Sequence, residues 1–356
     1  MTTQTFDTTK AESFAGRMLD IINSSAIALM TSIGHRTQLF DTMAQLPPAT
    51  SSQIAAAAGL NERYVREWLG AMVTGRIVDY DPSNYTYSLP AEHAAFVTRA
   101  TSTDNMAVFT QFIPVLGSVE EQIIDCFYKG GGVPYSEYKR FQAVMAEDSS
   151  QTTVSALLDH ILPLIPGLTA ALQEGIAVLD VGCGCGQAIN QLAQAFPNSQ
   201  FTGYDFSQEA IATAQAQAQR WKLSNVKFQV KDAATIEESD RYDLIATFDA
   251  IHDQAQPDIV LHNIYKALRP DGVYLMQDIH AQTDVAGNLD HPTAPFLYTI
   301  SCMHCMTVSL AYGGMGLGTM WGQQQALQML SKAGFSQVEI KQLEHDFIND
   351  YYIVRP

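Results

Sequence analysis

The hydrophobic pattern changes character near the middle of the chain. Over residues 11–45 apolar residues recur at helical spacing, and the LPP at 46–48 ends that run. A short capped helix and a second helix over 61–74 follow, and then two strand-like runs, RIVDY and YTYSLP, joined by a DPSN turn. This order of helix, turn, helix and hairpin predicts a winged helix over about 48–90.

From residue 176 short apolar runs alternate with helical stretches near 187–195, 207–221 and 256–268. The runs are IAVLDV, QFTGYDF, VKFQVKD, YDLIATFD and GVYLMQD. Two last runs, FSQVEIKQLE and DFINDYYIVRP, predict an antiparallel C-terminal hairpin. The pattern therefore predicts an α/β fold, with a doubly wound, Rossmann-like and mostly parallel sheet.

The domain organisation is predicted from the breaks in this pattern. LPLIPGL at 162–168 contains two prolines and is typical of a linker, so we expect a helical N-terminal domain over 1–165 and an α/β domain over 166–356. The stretch over about 280–321 is too long for a plain connection. Its apolar helix and its glycines predict a lid or wall of a substrate pocket.

Composition and charge narrow the possible functions. The 356 residues are 47% apolar, with 37 acidic and 20 basic residues and a net charge of −17, which disfavours binding to nucleic acid. The five cysteines are too few, and odd in number, for a disulfide framework. Neither a signal peptide nor an apolar run of about 18 residues is apparent, so we expect a cytoplasmic protein that does not bind membranes.

The segment VLDVGCGCGQ follows a predicted strand and opens a helix. Gly182, Gly184 and Gly186 would let the backbone approach a ligand closely. The dinucleotide fingerprint needs a further glycine where this chain has Gln187, which disfavours a nicotinamide cofactor. Asp180 lies at the strand end and suits a ligand that carries an amine.

Two more carboxylates follow the next two strands. Asp205 could accept hydrogen bonds from ribose hydroxyls, and Asp232, with Ala233 beside it, could meet an adenine amine. Each also has a structural alternative, since Asp205 could cap the helix that starts near Ser207 and Asp232 could terminate a turn. Successive parallel strand ends share one crevice, so a ligand with an amine, a ribose and an adenine would satisfy all three aspartates.

These motifs resemble a known family. LDVGCGCGQ, GYDFS, KDAAT and RYDLIATFDAIHD are similar to the successive motifs of class I S-adenosylmethionine-dependent methyltransferases, over roughly residues 150–356. The N-terminal winged helix resembles the dimerising domain of a bacterial subgroup and of plant-type O-methyltransferases. The resemblance implies S-adenosyl-L-methionine as the cofactor, a small-molecule acceptor, and a homodimer formed through the N-terminal domain.

The resemblance also assigns residues to the cofactor. It implies that Asp180 and the glycine loop hold the methionine part, Asp205 the ribose, and Asp232 with Ala233 the adenine. The full set of expected cofactor-binding residues is Asp180, Gly182, Cys183, Gly184, Gly186, Asp205, Phe206, Asp232, Ala233 and Asp249.

The segment IHDQAQP is similar to the His–Asp pair after the fourth strand of plant-type O-methyltransferases, in which the histidine is the general base. His252 is thus the first candidate for that role, and Asp249 and His280 are the alternatives. The chain departs from the pattern at Gln254, where those enzymes usually have tryptophan. His252 or Asp253 could instead cap the following helix.

The cysteines raise the question of metal or redox chemistry. Cys183 and Cys185 lie in the glycine loop, where small packing residues are the preferred interpretation. Cys302 and Cys305 enclose a histidine, but zinc would need about two more ligands, so no metal is expected. Methylation of arsenite held by these thiols stays open.

The sequence predicts transfer of a methyl group to a small molecule, at a hydroxyl or phenol oxygen. Two alternatives remain at this stage. One is N-, C-, S- or As-methylation on the same fold. The other is a non-enzymatic regulator that binds S-adenosylmethionine and uses its winged helix on DNA.

Overall fold

The structure is a computed structural model that describes residues 6–100 and 105–356. The chain divides into two compact units, Met1–Pro114 and Val115–Pro356. The domain boundary expected at 165/166 lies inside the second unit. Elements that begin in the first unit are α1 (Thr8–Arg36), α2 (Leu39–Ala44), α3 (Ser51–Ala58), α4 (Glu62–Thr74), β1 (Asp79–Asp81), β2 (Thr86–Ser88), α5 (Ala91–Val97) and α6 (Phe112–Gly117).

Helices α3 and α4 with the β1–β2 hairpin form the predicted winged helix. Thr50 caps α3 in a reciprocal arrangement with Gln53, which satisfies two backbone donors at the helix start. Trp68 of α4 packs edge-on against Phe40, and its indole N–H donates to the carbonyl of Met30 at 2.8 Å. These two contacts of Trp68 fix α4 against α1 and α2.

The second unit contains the α/β fold. Its elements are α7 (Glu120–Lys129), α8 (Phe141–Ser149), α9 (Leu168–Glu174), β3 (Ala177–Val181), α10 (Gln187–Ala195), β4 (Gln200–Asp205), α11 (Gln208–Arg220), β5 (Val226–Val230), β6 (Tyr242–Phe248), α12 (Pro257–Ala267), β7 (Leu268–Ile279), α13 (Ala294–Ile300), α14 (Met306–Ala311), α15 (Gly322–Ala333), β8 (Gln337–Leu343) and β9 (Asp346–Arg355). The five strands β3–β7 and the terminal hairpin match the predicted runs.

Strands β3–β9 form one seven-stranded sheet in the order β5-β4-β3-β6-β7-β9-β8. The first five pair in parallel, and β9 is antiparallel to both of its neighbours. Chain order reverses between β3 and β6. In an open α/β sheet such a switch point leaves a crevice at the carboxyl ends of the strands.

Each face of this sheet is covered by helices. Alternate strand residues point to opposite faces, so Leu179 of β3 packs with α12 and α15, while its neighbour Val178 packs with α10 and α11. The fold class predicted from the sequence is confirmed.

The chain before β3 differs from the expected linker. Helix α8 continues into two π-helical turns, Ser150–Val154 and Leu157–Ile161. Leu162, Ile165 and Leu168 are buried in the hydrophobic cluster under the sheet. Pro163 lies in a 3-10 turn, Leu162–Leu164, and Pro166 follows that turn. Both prolines are exposed, while the residues between and around them are packed.

Helices α13 and α14 join through a third π-helical turn, Ser301–Cys305. By length and composition alone the combined run Ala294–Ala311 would suffice to cross a membrane, with a mean hydropathy of 1.2. From the sequence, the apolar helix in this stretch was expected to form a pocket wall, and no apolar run of about 18 residues was expected. Since 44% of it is buried inside the unit and the core helices of soluble proteins meet the same criterion, it is weak evidence for a membrane span.

Candidate active site

An open cavity lies at the carboxyl ends of β3, β4, β5 and β6. It consists of two adjoining hollows of about 1050 and 1070 Å³, open to solvent. Both are lined by Tyr135, Gly182, Asp205, Phe206, Asp253 and Gln254. Seven of the ten expected cofactor-binding residues line the first hollow, and Asp232 and Ala233 line the second. The switch point of the sheet thus brings most of the predicted site together.

The backbone of the glycine loop approaches the cavity without side chains in the way. Gly182 has a φ of +77°, and a Cβ there would lie 2.6 Å from that of Ala250. Gly184 has a φ of +51° and open space around its Cα. The loop is held because the N–H groups of Gly182 and Cys183 both donate to the carbonyl of Tyr204. It therefore forms a fixed cradle for a ligand.

Asp180 is the penultimate residue of β3, next to this loop. The side chain is 4% exposed and one carboxyl oxygen, Oδ1, has no partner among the described residues. Burial, and then the neighbouring Asp205 carboxylate, raise the pKa of Asp180 to about 7. A ligand amine would supply the donor and the positive charge that this carboxyl lacks.

Asp205 ends β4 and fixes the glycine loop to the helix that follows it. Its Oδ2 accepts from the N–H of Gly184 at 2.9 Å, and its Oδ1 accepts from the N–H of Ser207 at 2.8 Å. Burial raises the pKa of Asp205, while these two N–H donors lower it in part. Each carboxylate oxygen can accept a second hydrogen bond, so Asp205 keeps the capacity to bind hydroxyl groups.

Asp232 lies at the rim of the second hollow. It caps the short turn Ala233–Thr235 by accepting from the N–H of Ala234 at 2.9 Å, which is the structural alternative that the sequence analysis considered. The residue is exposed, and only one of its oxygens makes this contact. Ala233 is buried beside it, so the pair can still meet a flat ring at the cavity wall.

Gly186 differs from the other expected cofactor-binding residues because it does not line either hollow. A Cβ at this position would lie 2.6 Å from that of Ala214 and 2.7 Å from the ring of Phe228. This glycine therefore allows α10 to pack closely on α11 and β5. It supports the loop rather than the ligand.

The two thiols of the loop, Cys183 and Cys185, are unreactive because they stay protonated. Burial raises the pKa of both Cys183 and Cys185, and the nearby Asp205 carboxylate raises both further. A thiol that stays protonated at neutral pH is a poor nucleophile. Cys183 also fits closely against Gly203 of β4, which agrees with the packing interpretation.

Asp249 follows β6 and adopts a left-handed backbone with a φ of +49°, which is strained for a residue other than glycine. Its Oδ2 accepts from the side-chain amide of Gln277 at 3.1 Å, and the amide oxygen of Gln277 accepts from Thr153. Burial, and then Asp278, raise the pKa of Asp249 well above the usual range. The turn aims this carboxyl at the cavity, which it lines.

His252 is buried behind the cavity wall and does not line either hollow. Its Nδ1 lies 2.7 Å from Oδ1 of Asp278, and its Nε2 lies 3.3 Å from Oδ1 of Asp253. Asp253 does line both hollows. Burial lowers the pKa of His252, but the two carboxylates outweigh burial and raise this pKa well above the usual range.

The position of His252 is fixed by Asp278. Oδ1 of Asp278 also accepts from the indole N–H of Trp321 at 3.0 Å and from the backbone N–H of Ile279. A carboxylate only accepts, so Nδ1 of His252 carries the hydrogen in this contact. Nε2 faces a second carboxylate, that of Asp253, and the raised pKa favours the imidazolium, in which both ring nitrogens carry a hydrogen. Loss of the Nε2 proton would leave the lone pair on that nitrogen.

His280, the other histidine considered as a base, lies outside both hollows. It follows β7, and its Nδ1 contacts the buried carboxylate of Asp350 at 2.9 Å. This pairing is with the terminal hairpin, on the side of β7 away from β6. The structure does not bring His280 together with Asp249 and His252.

From the sequence, Tyr135, Tyr138 and Phe141 could face the pocket or pack in the core, but most of one cavity wall was missed. That wall comes from α8 and the π-helical turn after it. Gln142, Met145, Ser149 and Thr153 line the first hollow, together with Phe141. Phe141, Met145 and Ser149 recur every four residues, which is one face of a helix. That spacing was the available signal, but an apolar helix face is as typical of a core.

The segment expected to form a lid contributes a smaller wall. Val308 and Tyr312 line the second hollow. The turn at 313–318 is hydrogen-bonded to the chain after β6. The N–H of Met315 donates to the carbonyl of Ala255, and the hydroxyl of Ser309, just before the turn, donates to the carbonyl of Gln254. This packing resembles a static turn more than a hinge.

Comparison with known proteins agrees with this geometry. Residues 25–99 match the family model described as an Rv2258c-like winged HTH domain, and residues 172–334 match the model described as a methyltransferase domain. The order of the strands in the sheet agrees with the match over residues 172–334. The winged helix thus precedes a methyltransferase domain, as the sequence motifs implied.

One curated relative is the malonyl-[acyl-carrier protein] O-methyltransferase of Bacillus cereus. It is 29% identical over 168 residues, which are 46% of this chain and 55% of that protein. The match spans about half the length of the curated relatives. The shared region is less than half of this chain.

Two solved structures resemble nearly the whole chain. Mitomycin 7-O-methyltransferase has a TM-score of 0.71 at 16% identity, covering 98% of this chain and 100% of that one. Human N-acetylserotonin methyltransferase, solved with S-adenosylmethionine, has a TM-score of 0.68 at 17% identity, covering 96% and 97%. At these identities the likeness shows the fold of the methyltransferase domain and of the domain before it.

Proposed function

We propose that this chain transfers a methyl group from S-adenosylmethionine to a small-molecule acceptor, at a hydroxyl or phenol oxygen. The observation that carries the proposal is the arrangement of Asp180, Asp205 and Asp232 at the ends of three adjacent strands around one cavity. A ligand with an amine, a ribose and an adenine, and without a phosphate, matches this series of carboxylates.

The residues of the site fit this cofactor. Asp180, with its unpartnered buried oxygen, would accept from the methionine amine, and the cradle at Gly182 and Gly184 admits the methionine part. Asp205 would accept from the ribose hydroxyls, and Asp232 with Ala233 would hold the adenine. When bound, S-adenosylmethionine supplies an electrophilic methyl group next to a cationic sulfur.

Aromatic side chains support an aromatic or lipophilic acceptor. The two hollows are lined by Tyr135, Phe141, Phe206, Phe248 and Tyr312. Ring faces favour flat apolar groups, and they exclude water from the methyl transfer. An acceptor bound against this wall would lie near Asp249 and Asp253.

His252 is the proposed general base, acting next to Asp253. Asp278 orients the imidazole so that Nε2 faces Asp253, which lines the cavity, and His252 acts as a base once Nε2 has lost its proton. An acceptor hydroxyl that displaces the contact between Nε2 and Asp253 could give its proton to His252. Asp249 is the alternative base, because it reaches the cavity directly.

Binding of S-adenosylhomocysteine tests the cofactor part of the proposal. Calorimetry should detect one site per chain, and Asp205→Ala should weaken binding about tenfold or more, because a buried hydrogen-bonding carboxylate is lost. Asp271→Asn, a change at an exposed position of β7, is the matched control. Absence of heat at high ligand concentration would refute the proposal. If the ligand binds, a screen of aromatic hydroxyl acceptors with labelled cofactor would identify the substrate.

We also propose that the N-terminal unit forms a homodimer and does not bind DNA. The basic residues of α4 are already paired on the same helix, Arg63 with Glu67 and Arg66 with Glu62, so little positive charge remains for phosphates. A gel-shift assay with genomic DNA separates this proposal from a DNA-binding regulator, because only the regulator would retard the DNA. Cytoplasmic location is proposed on the composition and cysteine content alone.

A further inference from the structure

A group of potential metal ligands lies behind Asp253, next to the cavity. One ligand atom from each of His252, Asp253 and Cys305 lies within 4.8 Å of the other two. His252 and Asp253 follow β6, and Cys305 belongs to the π-helical turn between α13 and α14. His252 and Cys305 are buried, while Asp253 reaches the cavity. Two distant segments of the chain are thus brought to one point.

The chemistry and spacing of this group suit zinc. Imidazole nitrogen, thiolate sulfur and carboxylate oxygen are its usual ligands, and bonds of about 2.0–2.3 Å put tetrahedral ligand atoms roughly 3.3–3.8 Å apart. His252 Nε2 and Asp253 Oδ1 already have this spacing, at 3.3 Å. Cys305 Sγ lies within 4.8 Å of both atoms, so a small shift of its side chain would complete the set. It would leave a weak contact of 3.7 Å with Nδ1 of His304.

Two further features favour a ligand here. Oδ1 of Asp253 is buried and has no hydrogen-bond partner in the part of the chain that the structure describes. Asp278 holds Nδ1 of His252 at 2.7 Å and is itself fixed by Trp321. A carboxylate behind a ligating histidine is the usual support of zinc sites, because it orients the ring and strengthens the Nε2 donor.

We propose that His252, Asp253 and Cys305 form an inhibitory zinc site of the methyltransferase. The metal would bind Nε2 of His252, the atom that the proposed base needs, and the protons of the imidazolium and of the thiol would both go to solvent. The inhibitory effect rests on the proposed function, whereas metal binding does not. Asp180, Asp205 and Asp232 are not ligands, so zinc should leave cofactor binding intact.

Metal binding is tested on the full chain at pH 8, with zinc in calorimetry and with cobalt(II) as a spectroscopic probe. The wild-type protein should bind one zinc ion, and cobalt should give a thiolate-to-metal absorption band. Cys305→Ser should abolish the band and weaken zinc binding at least about tenfold. Cys302→Ser is the matched control, since this half-exposed thiol is on the same turn but outside the group. It should keep both signals.

Inhibition is tested with the same variants once an acceptor is known. Zinc should inhibit the wild-type protein and Cys302→Ser at the same concentration. Cys305→Ser should need at least about tenfold more zinc, with its activity in the absence of zinc unchanged.

Three outcomes would overturn the inference: equal zinc affinity in Cys305→Ser and wild type, equal zinc inhibition of the two, or displacement of S-adenosylhomocysteine by zinc. If Cys305→Ser does not fold, Asp253→Asn replaces it in the binding experiments, with the same expected loss of zinc affinity. If the chain fails to bind S-adenosylhomocysteine, the proposed function fails while the cobalt band still decides the metal site.

Discussion

The buried carboxyl of Asp180 opposes folding and favours binding. It lies at the end of a central strand with one oxygen unpartnered, and its pKa is raised to about 7 from an ordinary value of 3.8. The ligand-free fold therefore prefers the protonated form. The protonated Asp180 side chain favours the folded state relative to the ionised one. This contribution to the free energy of unfolding is fully present below pH 3.8 and is lost as the pH rises through about 7, where the buried carboxyl must ionise.

Asp180→Asn should therefore stabilise the ligand-free protein at pH 8 by about 1–3 kcal/mol, because the amide cannot ionise in the buried site. This advantage should shrink at pH 5, where the wild-type carboxyl is protonated. The same variant should bind S-adenosylhomocysteine at least about tenfold more weakly, since an amide does not attract the ligand amine as a carboxylate does.

Thermal unfolding at pH 5 and pH 8 and calorimetric titration measure these two effects. Asp271→Asn, on the exposed part of β7, should change neither quantity. Weaker stability of Asp180→Asn at pH 8, or unchanged ligand affinity, would contradict the role given to Asp180.

Substitutions of His252 and of His280 should have opposite effects on turnover. His252→Ala should slow turnover about 10²–10⁴-fold on a hydroxyl acceptor while cofactor affinity stays within about twofold, because the base acts only in proton transfer. His280→Ala should leave turnover near the wild-type value, since His280 pairs with Asp350 outside the cavity lining. Steady-state kinetics beside calorimetry would measure both. Near-normal turnover of His252→Ala would favour Asp249 as the base.

At the scale of elements, the glycines of the glycine loop meet two different requirements, access for a ligand and close packing of the following helix. Gly184 faces open space at the cavity, whereas a side chain at Gly186 would collide with Ala214 and Phe228 behind the loop. Both have positive φ, at +51° and +68°. The D-x-G-x-G-x-G spacing predicted a ligand loop, but it did not separate the glycine that meets the ligand from the glycine that allows helix packing.

This difference predicts two separable phenotypes. Gly186→Ala should lower the free energy of unfolding by about 2–4 kcal/mol, through backbone strain and overpacking. Gly184→Ala should lower it by only about 1–2 kcal/mol, from backbone strain, and should weaken S-adenosylhomocysteine binding more strongly. Urea unfolding and calorimetry on both variants would rank them. The reverse ranking in stability would exclude the packing role of Gly186.

Elements with a strong local period were predicted well. Strands β3–β7 are short apolar runs between polar turns, and that pattern is local in the chain. Most of the wall formed by α8 was not predicted as part of the site. Residues that recur every four positions form one helix face, and such a face is equally typical of a core and of a pocket. The segment 162–168 has the composition of a linker, and only its packing against the sheet buries it.

At the scale of the whole molecule, α1 presents an apolar surface that the first unit does not cover. Exposed side chains on this helix are Phe14, Met18, Leu19, Ile21, Ile22, Leu29 and Ile33. Large exposed apolar stripes usually mark association sites. A second copy of the chain is the proposed occupant, in agreement with the dimer that the resemblance implied.

Ile22→Glu should therefore convert the protein from dimer to monomer, because a charge cannot be buried unpaired in an apolar interface. Light scattering coupled to gel filtration would measure the mass. Ser13→Glu is the control, since Ser13 is exposed on the same helix and no residue three or four positions from it belongs to the apolar stripe, so this variant should keep the dimer. A monomeric wild-type protein at high concentration would refute the proposed dimer.

The sequence by itself determined the winged helix, the strand order along the chain, the glycine loop and the three aspartates at strand ends. These features depend on local periodicity and on short motifs, which are read along the chain. Tertiary structure alone decided that Gly186 packs rather than binds, that His280 lies away from the cavity, and that Cys305 approaches His252 and Asp253. Those relations join residues far apart in sequence, and only the packing of the sheet and its helices fixes such distances.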